Sequence, residues 1–250
     1  MSALRIGLIG NGKMGRMIDS ICAQDERFLV AGFVGPGACT ALSELPDLDV
    51  AIDFSYPGNV TMMLEDALRR NLPLVIGTTG LSEQQEDQIR AASAQLPIVR
   101  ALNFSTGMAV MRRLARMASD ALREDFDIEI VETHHNQKED APSGSAVALI
   151  ESVDPDGEFT VVCGREGRPG KRGHEIGVHS LRGGTVAGEH SVRFFGPMEE
   201  IELRHRADSR EIFARGALRA SQFAAAAKPG LYSVDDVIFG GKGHGRKRDH

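Results

Sequence analysis

Gly10-Asn11-Gly12-Lys13-Met14-Gly15 stands between a short β-rich run, residues 5–9, and a run with helical spacing, residues 14–23. A G-x-G-x-x-G turn that ends a strand and opens a helix asks for a parallel βαβ unit. The first glycine permits the tight turn, the second lets a pyrophosphate approach the backbone, and the third lets helix and strand pack closely. The helix start then offers N–H groups and the positive end of its dipole to an anion.

The alternation continues. Residues 28–34 and 50–54 read as strands, 60–70 as a helix, and 74–76 as a buried strand. Residues 82–94 read as a helix opened by a capping box, Ser82 with Gln85, and 98–101 as the next strand. Strands separated by helices predict a parallel sheet. Two small polar loops fall where such strands end, Gly77-Thr78-Thr79-Gly80 and Asn103-Phe104-Ser105. A ribose-binding acid is expected about 20 residues beyond the glycine loop. That place reads Ala31-Gly32-Phe33-Val34-Gly35-Pro36-Gly37, with no acid.

The pattern changes after Asn103. A helix over 107–122 precedes strand-like runs at 127–133, 159–163, 175–181, 185–195 and 199–205, the last three with hardly any helix between them. That suits an antiparallel or mixed sheet. Residues 210–227 return to helix, Gly230–Tyr232 reads as a turn, 233–238 is short, and the Gly-, Lys-, Arg- and His-rich tail from Gly240 is expected to be solvated. The 250 residues therefore suit one large domain or two modest ones.

Net charge is −6, which gives no sign of a nucleic-acid or membrane partner. Cys22, Cys39 and Cys163 are few, odd in number and far apart, so neither a disulfide framework nor a metal site is expected, and a reducing compartment is. The N-terminus runs into a strand without a secretion signal, and no apolar run reaches a membrane span. The expectation is a cytoplasmic protein.

Chemistry concentrates in residues 129–146, EIVETHHNQKEDAPSGSA. A strand delivers Glu132, His134 and His135 into a loop carrying Lys138 and Asp140; Pro142-Ser143-Gly144-Ser145 then opens a helix. Adjacent histidines on an extended chain point to opposite sides. A histidine exchanges protons near neutrality, and Lys138 offers a cation or a proton. Ser143, Gly144 and Ser145 present successive N–H groups suited to a carboxylate. Two histidines alone make a poor metal set.

These motifs resemble those of the 4-hydroxy-tetrahydrodipicolinate reductase (dihydrodipicolinate reductase) family over nearly the whole chain. The segment from Glu129 to Ala146 resembles its signature. Asp53-Phe54-Ser55, Gly77-Thr78-Thr79-Gly80 and Asn103-Phe104-Ser105 are similar to its cofactor-domain motifs, and Glu175-Ile176-Gly177, Arg182-Gly183-Gly184, Gly188-Glu189-His190, Ser209-Arg210 and Gly230-Leu231-Tyr232 to its later ones. The resemblance implies an α/β fold: a Rossmann-type parallel-sheet domain over 1–105, completed by 211–250, and a mixed α/β substrate and oligomerisation domain over 106–210 of a homotetramer. It implies NADPH- or NADH-dependent reduction of a cyclic dicarboxylate with loss of water. His134 is implied as catalytic acid/base and Lys138 as proton donor, with His135, Lys138, Gly144 and Ser145 holding the dicarboxylate. The cofactor is implied to lie along Gly10, Asn11, Gly12, Lys13 and Met14, along Gly77, Thr78 and Thr79, and along Ala101, Leu102, Asn103 and Phe104. The family usually has Thr where this chain has Ser145 and Arg where it has Lys13. Two other readings compete: a two-domain reductase of another substrate, and a non-catalytic nicotinamide-nucleotide sensor.

Overall fold

A computed structural model describes residues 2–240. The chain divides into two compact units, Met1–Thr106 with Glu211–His250, and Gly107–Arg210.

In the first unit the elements are β1 (Leu4–Ile9), α1 (Lys13–Cys22), β2 (Phe28–Val34), β3 (Val50–Asp53), α2 (Val60–Arg70), β4 (Leu74–Ile76), α3 (Glu83–Ala92) and β5 (Pro97–Arg100). The returning chain adds α6 (Glu211–Ala226), β11 (Gly230–Tyr232) and α7 (Val234–Phe239). The six strands pair in parallel in the order β11-β5-β4-β3-β1-β2. Helices cover both faces, so the strands are apolar on both sides. Ile6 and Leu8 of β1 pack with α1 and α6 through Ile18, Ala217 and Leu218, while Ile9 and Ile76 pack with α2 and α3 through Met63, Leu64 and Ile89. β1 has β2 on one side and β3 on the other, so the strand order reverses there. Ligands of such sheets bind outside the carboxyl ends of the strands at that reversal. The glycine loop leaves β1 at this edge.

One expectation changes here. Gly230–Tyr232 is a strand rather than a turn, with Leu231 beside Ile98 and Tyr232 beside Val99. Leu231 packs into one core and Tyr232 into the other, an alternation too short to read from sequence. Residues 233–238, too short for their sequence to indicate an element type, fall within α7 and its cap, where Ser233 and Asp236 form a capping box. The box at Ser82 and Gln85 is present as expected. The basic tail lies outside the described residues beyond Gly240.

The second unit holds most of α4 (Thr106–Leu122), then β6 (Asp127–His134), α5 (Gly144–Val153), β7 (Thr160–Cys163), β8 (Glu175–Arg182), β9 (Gly188–Phe195) and β10 (Glu200–Ala207). The sheet order is β10-β9-β6-β8-β7. β6 pairs in parallel with β8 and antiparallel with β9, which makes the sheet mixed. Its core face, Ile128, Ile130, Ile176, Val178, Val192 and Phe194, packs on Met108, Met111 and Ala115 of α4 and on Ala146 and Leu149 of α5. The strand expected from residue 185 begins at Gly188, after a turn.

Candidate active site

The carboxyl edge of the first sheet is shaped by glycine. Gly10 has φ +95°, and a Cβ there would lie 2.5 Å from the Phe54 carbonyl oxygen, so only glycine lets β1 turn past the end of β3. A Cβ on Gly15 would lie 2.1 Å from the Gly10 carbonyl oxygen. At Gly12, by contrast, a Cβ would meet nothing within 4 Å. Gly12 is the N-cap of α1, with no side-chain cap and no acid in the first helical turn. An open approach to an uncapped helix start fits the pyrophosphate of a dinucleotide.

The other expected cofactor residues divide. Asn11 donates from Nδ2 to the Pro36 carbonyl at 2.5 Å, tying the glycine loop to the exit of β2. Lys13, Thr79 and Leu102 are exposed and Ala101 is partly so. Gly77 packs on the Phe54 ring, and a Cβ there would lie 2.3 Å from it. Asn103 Oδ1 accepts from the Ser105 N–H at 2.8 Å, shaping its own loop. For three positions the expectation narrows to the backbone. Met14 packs against the core beneath α1. The buried Thr78 gives its hydroxyl oxygen to the Ser55 N–H at 2.9 Å. Phe104 is 1% exposed and meets Phe54 edge-on at 5.7 Å. Phe104, a large apolar side chain just past β5, is drawn into the core, which removes it from the ligand edge.

In the second unit the site grows out of the core face of β6. Residues 128, 130, 132 and 134 share that face, and all four are buried. The first two are isoleucines; the next two are Glu132 and His134. Where the strand runs out from beneath the apolar packing, its inward positions become ionisable. Strand register brings more polar groups to the same place, because Glu132 lies opposite Ser180 of β8 and His190 of β9, and His134 opposite Arg182.

Glu132 is fully buried and its carboxylate is well supplied with donors. Arg182 donates through Nη2 to Oε1 at 2.8 Å and through Nη1 to Oε2 at 3.0 Å. The Ser143 N–H donates to Oε1 at 3.2 Å, and His134 Nδ1 lies 2.5 Å from Oε2. Burial pushes the Glu132 carboxyl up, but hydrogen bonds from Arg182, Ser180 and His134 outweigh it and hold the group down at about 2. Burial lowers the affinity of His134 for protons below that of an ordinary histidine; Lys138 and Arg182 add to this and Glu132 opposes it. His134 Nε2 makes no hydrogen bond among the described residues.

His135 is half-buried and follows directly on the last residue of β6. Its Nε2 accepts from Arg210 Nη2 at 3.4 Å, and its buried Nδ1 has no partner among the described residues. Lys138 Nζ pairs with Asp140 Oδ1 at 2.8 Å, and its N–H bonds to the His135 carbonyl at 3.1 Å.

Ser143 departs from its expected role. Its N–H is taken by Glu132, and its hydroxyl oxygen caps α5 by accepting from the Ala146 N–H at 3.2 Å. The part of the turn that faces outward therefore starts one residue later, at the exposed Gly144, with the half-buried Ser145 after it. A carboxylate is already in the cradle, and it is the protein's own.

Sequence reasoning gives no role to Arg182 or His190 and does not reveal the hub position of Glu132. The available signal is an ionisable residue at an inward position of an otherwise apolar alternation. His190 is 3% exposed, its ring meets His134 edge-on at 5.1 Å, and its Nε2 lies 3.2 Å from Ser143 Oγ. Among the described residues no group of three or more His, Cys, Asp or Glu is arranged for a metal, and no helix is long and apolar enough to cross a membrane.

Comparison with known proteins follows this division. Residues 4–104 match the family model described as dihydrodipicolinate reductase, N-terminus, and residues 107–238 the one described as dihydrodipicolinate reductase, C-terminus. The chain is 41% identical over 240 residues to a 4-hydroxy-tetrahydrodipicolinate reductase of Caldanaerobacter subterraneus, covering 91% of this chain and 95% of that protein. A Rubrobacter xylanophilus protein of the same name is 43% identical over 246 residues, with the same coverage. A solved structure, dipicolinate-bound dihydrodipicolinate reductase from Paenisporosarcina sp. TG-14, shares the fold. Its TM-score is 0.76 at 23% identity, over 92% of this chain and 97% of that one.

Proposed function

The chain belongs to the dihydrodipicolinate reductase family, and from that premise we propose how its own residues carry the reaction. It reduces 4-hydroxy-tetrahydrodipicolinate to tetrahydrodipicolinate in lysine and diaminopimelate synthesis, using a reduced nicotinamide nucleotide. The balance is one hydride and one proton taken up and one water lost. The nucleotide, when bound, supplies the hydride.

Residues 10–14 hold the pyrophosphate from the backbone, with Lys13 adding charge. In the second unit Gly144 and Ser145 donate N–H groups to one substrate carboxylate, and His135 and Lys138 contribute the remaining polar contacts. Lys138 donates the proton that balances the hydride, and His134 Nε2 is the acid/base nitrogen beside it. A dicarboxylate that gains a hydride builds negative charge, so a nearby cation and proton source lower the barrier. One observation carries this reading: a histidine with one ring nitrogen committed to a buried carboxylate and the other unbonded, beside a helix start and a lysine. The dipicolinate bound to the Paenisporosarcina enzyme is a planar mimic of such a substrate.

The reading extends to a cytoplasmic homotetramer. The free cysteines Cys22, Cys39 and Cys163 suit a reducing compartment, and light scattering tests the assembly. The reaction is tested by generating substrate from pyruvate and aspartate semialdehyde with the upstream synthase and following NADH and NADPH oxidation separately. Oxidation is expected only when the synthase product is present; its absence with both nucleotides, in folded protein, overturns the reading.

A further inference from the structure

We infer that Glu132 is a positioning residue: held by Arg182 and the Ser143 N–H, its carboxylate fixes His134 with hydrogen on Nδ1 and leaves Nε2 as the reacting nitrogen. The inference rests on the acid/base role proposed for His134.

The tautomer follows from the donor count. An ionised carboxylate only accepts, so at 2.5 Å from Glu132 Oε2 the nitrogen Nδ1 must carry the hydrogen. A neutral imidazole has one N–H, which leaves the lone pair on Nε2. Glu132 must then be ionised although fully buried, a state that costs several kcal/mol unless the charge is paired. Arg182 supplies the pairing as a two-pronged fork, 2.8 and 3.0 Å from the two carboxylate oxygens. The hydrogen bonds that hold Glu132 near 2 point the same way.

The carboxylate does more than pair with an arginine. Both oxygens are shared, and Ser180 adds a further side-chain hydrogen bond to the carboxylate. Oε2 takes His134 Nδ1 and Arg182 Nη1, while Oε1 takes Arg182 Nη2 and the Ser143 N–H. One carboxylate thus sets the ring of the acid/base histidine and the position of the α5 start that receives the substrate. Arg182 Nη2 also reaches the Asp140 carbonyl at 2.6 Å, which ties in the lysine loop. The groups facing His134 are Glu132 on its own strand, Arg182 from β8, His190 from β9, and Lys138 with Asp140 from the loop; His205 of β10 faces His190. Of these, Glu132 is the one that accepts from the ring. Gly188 guards the opposite edge, since a Cβ there would lie 3.1 Å from Nε2.

The test reads the tautomer and turnover together. Protein labelled with ¹⁵N in its histidine rings is measured by NMR near neutral pH, His134 being assigned by its loss in His134→Gln. The expected signature is a protonated Nδ1 and an unprotonated Nε2. In Glu132→Gln the amide oxygen goes to the Ser143 N–H and Arg182 Nη2 at the Oε1 position, which turns the NH2 toward Nδ1; the hydrogen then moves to Nε2 and kcat falls by about 10²-fold or more, while the nucleotide dissociation constant holds. A purely structural role would not exchange the two nitrogen signals. An Nε2–H tautomer in the unaltered protein overturns the inference and requires no variant to fold. So does Glu132→Gln with near-normal kcat. If the unaltered protein shows the Nδ1–H form but does not turn over the synthase product, the functional reading has failed and the positioning has not.

Discussion

His190 Nε2 stands 3.2 Å from Ser143 Oγ, a buried bridge between β9 and the cap of α5. The Ser143 oxygen already accepts the Ala146 N–H, so the serine hydrogen is available to His190 and the bridge suits a neutral ring. Burial, with the neighbouring His134 also acting, pushes His190 down to about 4. Between about 4 and the ordinary histidine value near 6.5, the unfolded chain binds a proton that the native site refuses, so stability rises with pH through that window and is lost on acidification. The loss attributable to His190 is at most about 3 kcal/mol. His134 and His205 are lowered too and contribute in the same direction. His190→Gln keeps a polar partner for Ser143 and cannot titrate there. Urea unfolding midpoints from pH 7.5 down to 4.5 should fall less steeply in this variant, and identical slopes would remove His190 from the account.

Lys138→Ala should lower turnover by about 10²-fold or more, the range of a lost general acid. Its ion pair with Asp140 is partly exposed, so little stability should go with it. Nucleotide affinity should hold because residues 10–14 belong to the other unit. Steady-state kinetics and nucleotide titration of the same preparation separate the two. Near-normal turnover would remove the lysine from the proton's path.

The uneven legibility of the molecule has a physical basis. The glycine loop is readable because its constraints are local: Gly10 needs positive φ, and Gly15 leaves no room for a Cβ beside Gly10. The strand face of β6 is readable in principle, since Glu132 and His134 continue the inward positions of Ile128 and Ile130. Arg182 and His190 are not, because they meet Glu132 only through the register of β8 and β9, about 50 residues further on, and no local pattern prints a register. The same limit explains Ser143. Its sequence context says helix cap and anion cradle, and only the fold shows that Glu132 fills part of that cradle.

Pyridine-2,6-dicarboxylate should compete with substrate and raise the apparent melting temperature, since a ligand that binds only the native state adds about 2.7 kcal/mol at 100 times its dissociation constant. Lys138→Ala should shrink the shift by removing a cation. Ser143→Gly should shrink it less, because the Ser143 N–H faces Glu132 rather than the ligand. A larger loss from Ser143→Gly than from Lys138→Ala would return Ser143 to direct contact.

Cofactor choice turns on the exit of β2. An acid there would accept hydrogen bonds from the ribose and repel a 2′-phosphate, and none occurs between Phe28 and Leu42. The carboxylate of Glu44 comes near, but its Oε1 takes the Thr40 N–H at 3.2 Å and the Thr40 hydroxyl. Lys13 and Arg16 are exposed on the first turn of α1, and Arg16 holds its place by donating from Nε to the Asn11 carbonyl at 3.1 Å. Two cations without an opposing acid at the β2 exit favour the extra phosphate. NADPH should therefore be used at least as well as NADH. Salt should weaken NADPH binding more than NADH binding, because the additional charge is screened. Arg16→Gln should raise the NADPH dissociation constant more than the NADH one, and removing residues 241–250 separates the loop's share from that of the tail. Dissociation constants that favour NADH tenfold, about 1.4 kcal/mol, would show that another group rejects the phosphate, and Glu44 is the first to replace.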